Sequence, residues 1–385
     1  MELALTDIQQ QIQDSARRFA EAELAPLAKT LDHGDGRDGY LKNLRSLAEL
    51  GFMGLNVDAE YGGTEAGVVA FSVAITEIAK ACAATAVAVS VTNLVGEVIQ
   101  SIGTEAQKKR YIPKLCNGEY AGGSFCLSEA GAGSDPSGMQ TRAVRDGDDW
   151  VINGTKMWIS SAEHAGVFVV WAVTDPERPK GKGITCFLVE RETPGITIGK
   201  AEKKMGQRGS CTNPVIFEDC RVPADAILGK PNDGFRIAIA ELAGGRIGIG
   251  SLALGIATAA MDTARTYATE REQFDTKISD FQGIQWKLAD TYTELEASRL
   301  LLMNAAYQKE SGHPFMKQAA MAKLYATEAA NRACYTALQL LGGAGYTEEF
   351  PLERYARDVR VTAIYEGTSE VQRVIIAREL LRELA

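Results

Sequence analysis

The chain has 385 residues, 45% of them hydrophobic and 24% charged, which is enough length and apolar content for a large core and two or three domains. The formal net charge is −9, and the densest basic stretch, "QKKRYIPK" at 107–114, reads as a solvated helix end, which excludes a nucleic-acid partner. Seven scattered cysteines without a CxxC and three distant histidines exclude a zinc site and a disulfide framework, so reduced thiols and no metal are expected.

Residues 1–120 read as a helical N-terminal domain. The opening "MELALTDIQQQIQDSARR" is polar and lacks a signal-peptide core. No apolar run approaches the roughly 20 residues that span a bilayer. A cytoplasmic, bacterial-like protein with no signal or transit peptide and no membrane insertion is therefore expected. Thr6 and Gln9 are predicted to form a capping box, with Ile8, Ile12, Ala16 and Phe19 on one face of the helix that follows. Residues 66–103 are apolar nearly all round, the signature of a deeply buried helix.

Residues 121–230 change character. "GSFCLSE", "DDWVINGTKMWISS", "GVFVVWAVT", "GITCFLVE" and "NPVIFEDCRVP" are short β-branched and aromatic runs separated by turn residues. They predict antiparallel strands in a small barrel or sandwich, with Asn153-Gly154 as a hairpin turn. From 231 to 385 helices return. "FQGIQWKLADTYTELEASRLLLMNAAYQKE" repeats apolar residues at Ile284, Leu288, Tyr292, Leu295 and Leu302. "KQAAMAKLYATEAANRACYTALQLLGG" is a second long helix, ending on Gly342-Gly343.

The glycine loops do not make a dinucleotide fold. "GAGSDP" at 131–136 has Pro136 where a GxGxxG needs its third glycine, and "GGAGYTEE" fails at the same place. "EAGAGSD" is either a turn or a phosphate-accepting nest with Ser134. No GxSxG is present, and each cysteine has an apolar context. Within "IYEGTSEVQR" at 364–373, Glu366 stands between the apolar "VTAI" and Gly367. It is either an exposed turn residue before a "TSE" helix cap or a partly desolvated general base. A lone strong base implies proton abstraction with a bound cofactor taking the electrons.

Six segments in one order resemble the acyl-CoA dehydrogenase family over the full length, nearest its short- and medium-chain branch. They are "CLSEAGAGSD", "NGTKMWISS", "FEDCRVP", "REQF", "QLLGGAGY" and "IYEGTSEVQR". The resemblance implies an N-terminal helical domain, a middle β domain and a C-terminal four-helix bundle, with FAD in the cleft between β domain and bundle. It implies a homotetramer that passes electrons to electron-transferring flavoprotein. By position Glu366 would be the base that takes the α-proton of an acyl-CoA, giving a trans-2-enoyl thioester. The flavin would contact Phe125, Cys126, Leu127, Ser128, Ser134, Trp158, Ile159, Ser160, Thr368 and Glu370. Arg271, Phe274, Gln282, Gln339 and Gly343 would hold the FAD of an adjacent subunit. Ser134, Arg246, Tyr365 and Gly367 would face the substrate. The isovaleryl-type position for the base is Gly245 here, which leaves Glu366 as its home. Ala243 replaces a family Asp that helps hold CoA, so a carrier-protein thioester is an alternative, as are an oxidase or desulfinase chemistry and a flavin-free binding protein. Chain length and branching are not legible.

Overall fold

A computed structural model describes residues 4–384. Helix α1 (Asp7–Phe19) begins on the expected box: Thr6 Oγ1 accepts from the Gln9 backbone, and the Gln9 side chain accepts from Thr6 N–H. Ala16 is buried and Ile12 and Phe19 pack at the edge of the core, but Ile8 is exposed, against expectation. It precedes Gln13 and Arg17, whose bonds to Glu77 mark where the neighbouring helix α4 (Val68–Ala81) meets α1.

One π turn leads into α2 (Ala25–Asp32), followed by α3 (Arg37–Glu49). The apolar run expected as one helix is two, α4 (Val68–Ala81) and α5 (Ala83–Ile102), broken where Cys82 is extended at φ −150°. Helix α6 (Glu105–Cys116) contains the basic stretch.

The sheet contains β1 (Gly123–Cys126), β2 (Arg142–Asp146), β3 (Asp149–Ser160), β4 (Val167–Val173), β5 (Ile184–Glu190), β6 (Ile196–Ile198), β7 (Thr212–Pro223) and β8 (Ile227–Leu228). Their order is β6-β7-β3-β2-β4-β5-β8, with β1 against β4. Pairing is antiparallel except that β1 and one residue of β2 run parallel to β4. The β2 to β3 turn is at Gly147 and Asp148, not at Asn153-Gly154. Those two lie inside β3, where the register on β7 shifts: the Asn153 amide brackets Asp219, and Gly154 admits the Thr141 backbone, whose Cα would lie 2.6 Å from a Cβ. Strands β4 and β5 are buried on both faces because the sheet has an apolar cluster on either side.

The C-terminal helices are α7 (Gly234–Glu270), α8 (Gln282–Glu310), α9 (Met316–Leu341), α10 (Leu352–Arg360) and α11 (Ser369–Arg382), with a ribbon of β9 (Glu272–Gln273) and β10 (Thr276–Lys277) after α7. Their largest core also takes in α4 and α5. The Trp171 indole donates to Gly234 O at 2.7 Å, fastening the sheet to the start of α7. Contrary to the sequence expectation, α5 and α7 are long and apolar enough to cross a bilayer by length and composition; 78% of each such stretch is buried inside the fold. All seven cysteines are free and buried.

Candidate active site

The segment between α10 and α11 turns on two successive left-handed residues, Glu366 at φ 53° and Gly367 at φ 91°. That conformation suits Gly367, whereas at a glutamate it stores roughly 1–3 kcal/mol and persists only if neighbours enforce it. They do: Lys323 Nζ and Gln372 Nε2 each donate to Gly367 O at 2.8 Å, and Gln372 also reaches Glu366 O at 3.3 Å. Thr368 caps α11 by accepting from Val371 N–H. The "TSE" cap therefore exists, but Glu366 is not part of it and turns inward.

Its carboxyl lies over Gly245 of α7, where a Cβ would sit 2.9 Å from Glu366 Cδ. Oε2 is buried without a hydrogen-bond partner. Burial pushes the Glu366 carboxyl up to about 7, against the opposing pull of Lys323 and then Arg246. Arg246 is buried as well, its Nε and Nη1 unpartnered, and burial lowers it to about 10. Lys323 is fully buried and lowered by burial to about 8. Two buried cations thus flank one carboxylate that changes charge near neutrality. Such a group abstracts protons efficiently at physiological pH, and the surplus positive charge favours an anion forming beside it.

Gly244, the preceding residue, makes room on another side of α7 for Lys309 Nζ, 2.6 Å from where a Cβ would lie; Lys309 pairs with Glu97 of α5 at 2.7 Å. The glycine pair in "ELAGGRIGIG" is thus a seat for two charged side chains. Tyr365 OH accepts from Gln207 Nε2 at 3.1 Å, and the Gln207 backbone N–H donates to the Asp358 carboxylate, so the loop before β7 is tied to the base segment.

A second group of the expected residues gathers on the sheet. The Phe125 ring lies 4.3 Å from that of Trp171, and Cys126 and Leu127 are buried. Met157 N–H donates to Ser128 O at 2.9 Å and Ser124 Oγ to Ser160 O at 2.7 Å, which stitches the β1 segment to β3. Between these stitches β3 bulges: Trp158 adopts φ 64° and its side chain stands out, 56% exposed, while Ile159 is buried and Ser160 half-buried. Ser134 is exposed on the "EAGAGSD" loop, and Gly131 and Gly133 border open space. A buried ion pair anchors that loop. Lys156 Nζ donates to Glu129 Oε1 at 2.8 Å and to Leu127 O at 3.2 Å, while Glu129 accepts from Gln140 and Thr141 N–H.

Other expected residues stand apart. Arg271 and Gln282 are exposed around the β9–β10 ribbon, and Phe274, 89% exposed, packs its ring edge toward Phe281 at 6.3 Å. Gln339 and Gly343 are exposed at the end of α9, and Glu370 is exposed in the first turn of α11. Among the described residues no hydrogen bond joins these, or the strand group, to the Glu366 carboxyl.

Sequence reading missed Lys323, Lys156 with Glu129, and Gln207. Lys323 left a trace as the one charged residue in "AAMAKLYA", and Lys156 as a charge at an inward position of a strand.

Profiles described as acyl-CoA dehydrogenase N-terminal, middle and C-terminal domains match residues 6–119, 124–220 and 232–381. The chain is 46% identical over 382 residues to the mitochondrial short-chain specific acyl-CoA dehydrogenase of Mus musculus, covering 98% of this chain and 91% of that one. Butyryl-CoA dehydrogenase from Megasphaera elsdenii superposes with a TM-score of 0.95 at 40% identity, over 99% and 100% of the two chains. A chain in the electron transferring flavoprotein structure from Acidaminococcus fermentans superposes at 0.96 with 41% identity, again over 99% and 100%.

Proposed function

Because the chain belongs to the acyl-CoA dehydrogenase family, we propose that it oxidises a short saturated acyl-CoA to the trans-2-enoyl-CoA, with Glu366 as the base. The observation that carries this reading is the Glu366 carboxyl, inward over Gly245, lacking a partner for Oε2 and pushed up to about 7. It takes the α-proton. The carbanion that proton loss creates delocalises onto the thioester oxygen, and the Glu366 backbone N–H, which no hydrogen bond among the described residues uses, is a donor for it. Arg246 and Lys323 stabilise the same developing charge through space. Tyr365, Gly367 and Arg246 line the substrate side, with Ser134 nearer the outer end.

The residues present fit FAD. The projecting Trp158 at a strained bulge and the half-buried Phe125, Ser128 and Ser160 form a face for a flat ring, backed by the buried Cys126, Leu127 and Ile159. The open-sided glycines by Ser134 suit its phosphates, with Thr368 and Glu370 on the bundle side. Bound there, FAD supplies the acceptor for the β-hydride. Arg271, Phe274, Gln282, Gln339 and Gly343 serve the FAD of a neighbouring subunit, which accounts for their exposure in a single chain. That reading requires at least a second copy, and the family resemblance makes the assembly a homotetramer; electrons leave through an electron-transferring flavoprotein, as the likeness to the Acidaminococcus fermentans chain supports. The three domains divide near residues 120 and 230, between α6 and β1 and between β8 and α7.

The short-chain preference rests on the mouse and Megasphaera elsdenii relatives. Buried Ala243, where the family often has Asp, keeps a carrier-protein thioester as the second reading. The test is spectral. The purified protein is expected to be yellow and to bleach with a short saturated acyl-CoA, and Glu366→Gln to stay yellow without bleaching. A Glu366→Gln protein that still bleaches at the wild-type rate rules the base out.

A further inference from the structure

Lys323 has no role in the reading above beyond its charge, yet its placement is specific. It sits in the middle of α9, in a face made of Ala319, Ala320, Ala322, Ala326 and Ala330, all buried. A lysine there loses hydration and side-chain freedom, and burial, against the opposing pull of Glu366, brings it down to about 8. Its Nζ has one hydrogen-bond acceptor among the described residues, Gly367 O at 2.8 Å. That carbonyl belongs to the second of two left-handed residues in the turn carrying Glu366. A buried ammonium spent on a main-chain oxygen, rather than on a carboxylate, fixes backbone geometry.

We propose that Lys323 is the positioning residue of the base: from the interior of the bundle it clamps the Gly367 carbonyl and holds the strained turn that aims the Glu366 carboxyl over Gly245. This rests on Glu366 being the base. Gln372 donates to the same oxygen from α11, so the turn is gripped from two helices, and only Lys323 brings charge. The charged groups around the site are few. Arg246 of α7 faces Glu366, and Arg378 of α11 faces Arg246. Glu328 of α9 and Glu370 of α11 lie farther round Lys323, and Tyr365 and Asp358 adjoin the base on the α10 side. Among these, Lys323 and Arg246 hold the Glu366 carboxyl below the value that burial alone sets. Removing Lys323 therefore has two consequences: a looser turn, and a base that needs a higher pH to ionise.

The experiment compares Lys323→Met, Lys323→Arg and Gln372→Leu as yellow holoenzymes. It follows washout of α-deuterium from an acyl-CoA as well as flavin bleaching, across pH 5 to 9. Lys323→Met is expected to lose roughly tenfold or more in washout rate and to shift its acidic limb upward by about one pH unit. Gln372→Leu loses rate with the limb unmoved, and Lys323→Arg keeps the limb of the wild type. A Lys323→Met protein with wild-type rate and limb overturns the proposal. If Lys323→Met does not accumulate, Lys323→Gln, neutral and too short to keep the 2.8 Å contact, decides: a lowered rate with a raised limb supports the clamp, and wild-type rate and limb overturn it. Failure of the base reading is distinct, because it shows as undiminished washout in Glu366→Gln.

Discussion

The Glu366 carboxyl rests on the bare Cα of Gly245, so close that a Cβ there would lie 2.9 Å from Glu366 Cδ and nearer still to Oε2. Gly245→Ala adds one methyl where the base sits. In an exposed helix the change would stabilise by about 1 kcal/mol. Here the methyl must displace the carboxyl, which swings away from the α-carbon of the substrate. The expected outcome is a loss of kcat by roughly 100-fold, since an ångström of misplacement carries a penalty of that order, with flavin content unchanged. Stopped-flow bleaching with a short acyl-CoA measures it, and wild-type bleaching would show that the carboxyl does not act from this seat.

The raised carboxyl also links activity and stability to pH in opposite directions. Proton abstraction needs the ionised form, so kcat/KM rises with pH and reaches half its plateau near 7, where Glu366 titrates. The stability contribution has the other sign. The folded value, about 7, lies above the ordinary glutamate value of 4.5, so the contribution is full below about 4.5 and is lost as pH rises through 7. Glu366→Gln removes that penalty, amounting to at most about 3 kcal/mol at pH 8 and nothing at pH 4. Thermal melts across this range should diverge on the alkaline side, and parallel curves would contradict a carboxylate whose burial outweighs the pull of Lys323 and Arg246.

How much of this was legible in the sequence depends on whether a feature is local. The Thr6 and Gln9 box, the strand runs and the long α8 and α9 follow from residues next to one another, and they formed as expected. Asn153-Gly154 misled because its turn propensity was overridden by the register of β3 on β7 and by the Asp219 contact, which sequence spacing does not show. The break at Cys82 in the single helix expected over 66–103 was not legible, because no proline or glycine stands beside it. The inward turn of Glu366 was one of two open readings, because its direction is decided by Lys323, Gln372 and Gly245, which are 43 residues before, 6 after and 121 before it.

Glu129 and Lys156 carry a prediction about the loop that bears Ser134. Lys156 is fully buried and its partner nearly so, and Glu129 also ties down Gln140 and Thr141. Glu129→Gln leaves a buried ammonium with the Leu127 carbonyl but no counter-charge, a loss of roughly 3–5 kcal/mol. Pairing it with Lys156→Met removes the stranded charge and should recover much of that, so the two substitutions are far from additive. Denaturant unfolding of both single variants and the double variant gives the coupling. Equal additive losses would mean that the pair does not act as a unit. Both single variants should also release flavin more readily, because the loop beside Ser128 and Ser134 loses its anchor.

Arg271 tests whether a neighbouring subunit completes the cofactor site. It follows the last residue of α7, is exposed, and makes no side-chain hydrogen bond among the described residues. Its backbone closes the β9–β10 loop, N–H to Tyr267 O and carbonyl to Ile278 N–H, and these bonds survive any side-chain change. Arg271→Ala should therefore leave the stability of the flavin-free protein within about 0.5 kcal/mol of wild type. If Arg271 instead grips the phosphates of a flavin held mainly by another copy, a charge-assisted, two-pronged contact is lost, worth about 1.5–3 kcal/mol. Flavin affinity then falls roughly 10- to 100-fold with the fold intact. Lysine restores only part of it, since an ammonium supplies charge without the paired donors. Mixing Arg271→Ala with a variant defective in the strand face, such as Trp158→Ala, makes the assignment intersubunit: hybrid oligomers contain some sites with both residues intact, and flavin binding returns in that fraction. A mixture that binds no more flavin than its two components separately would place Arg271 and Trp158 on the same site of one chain, or on none.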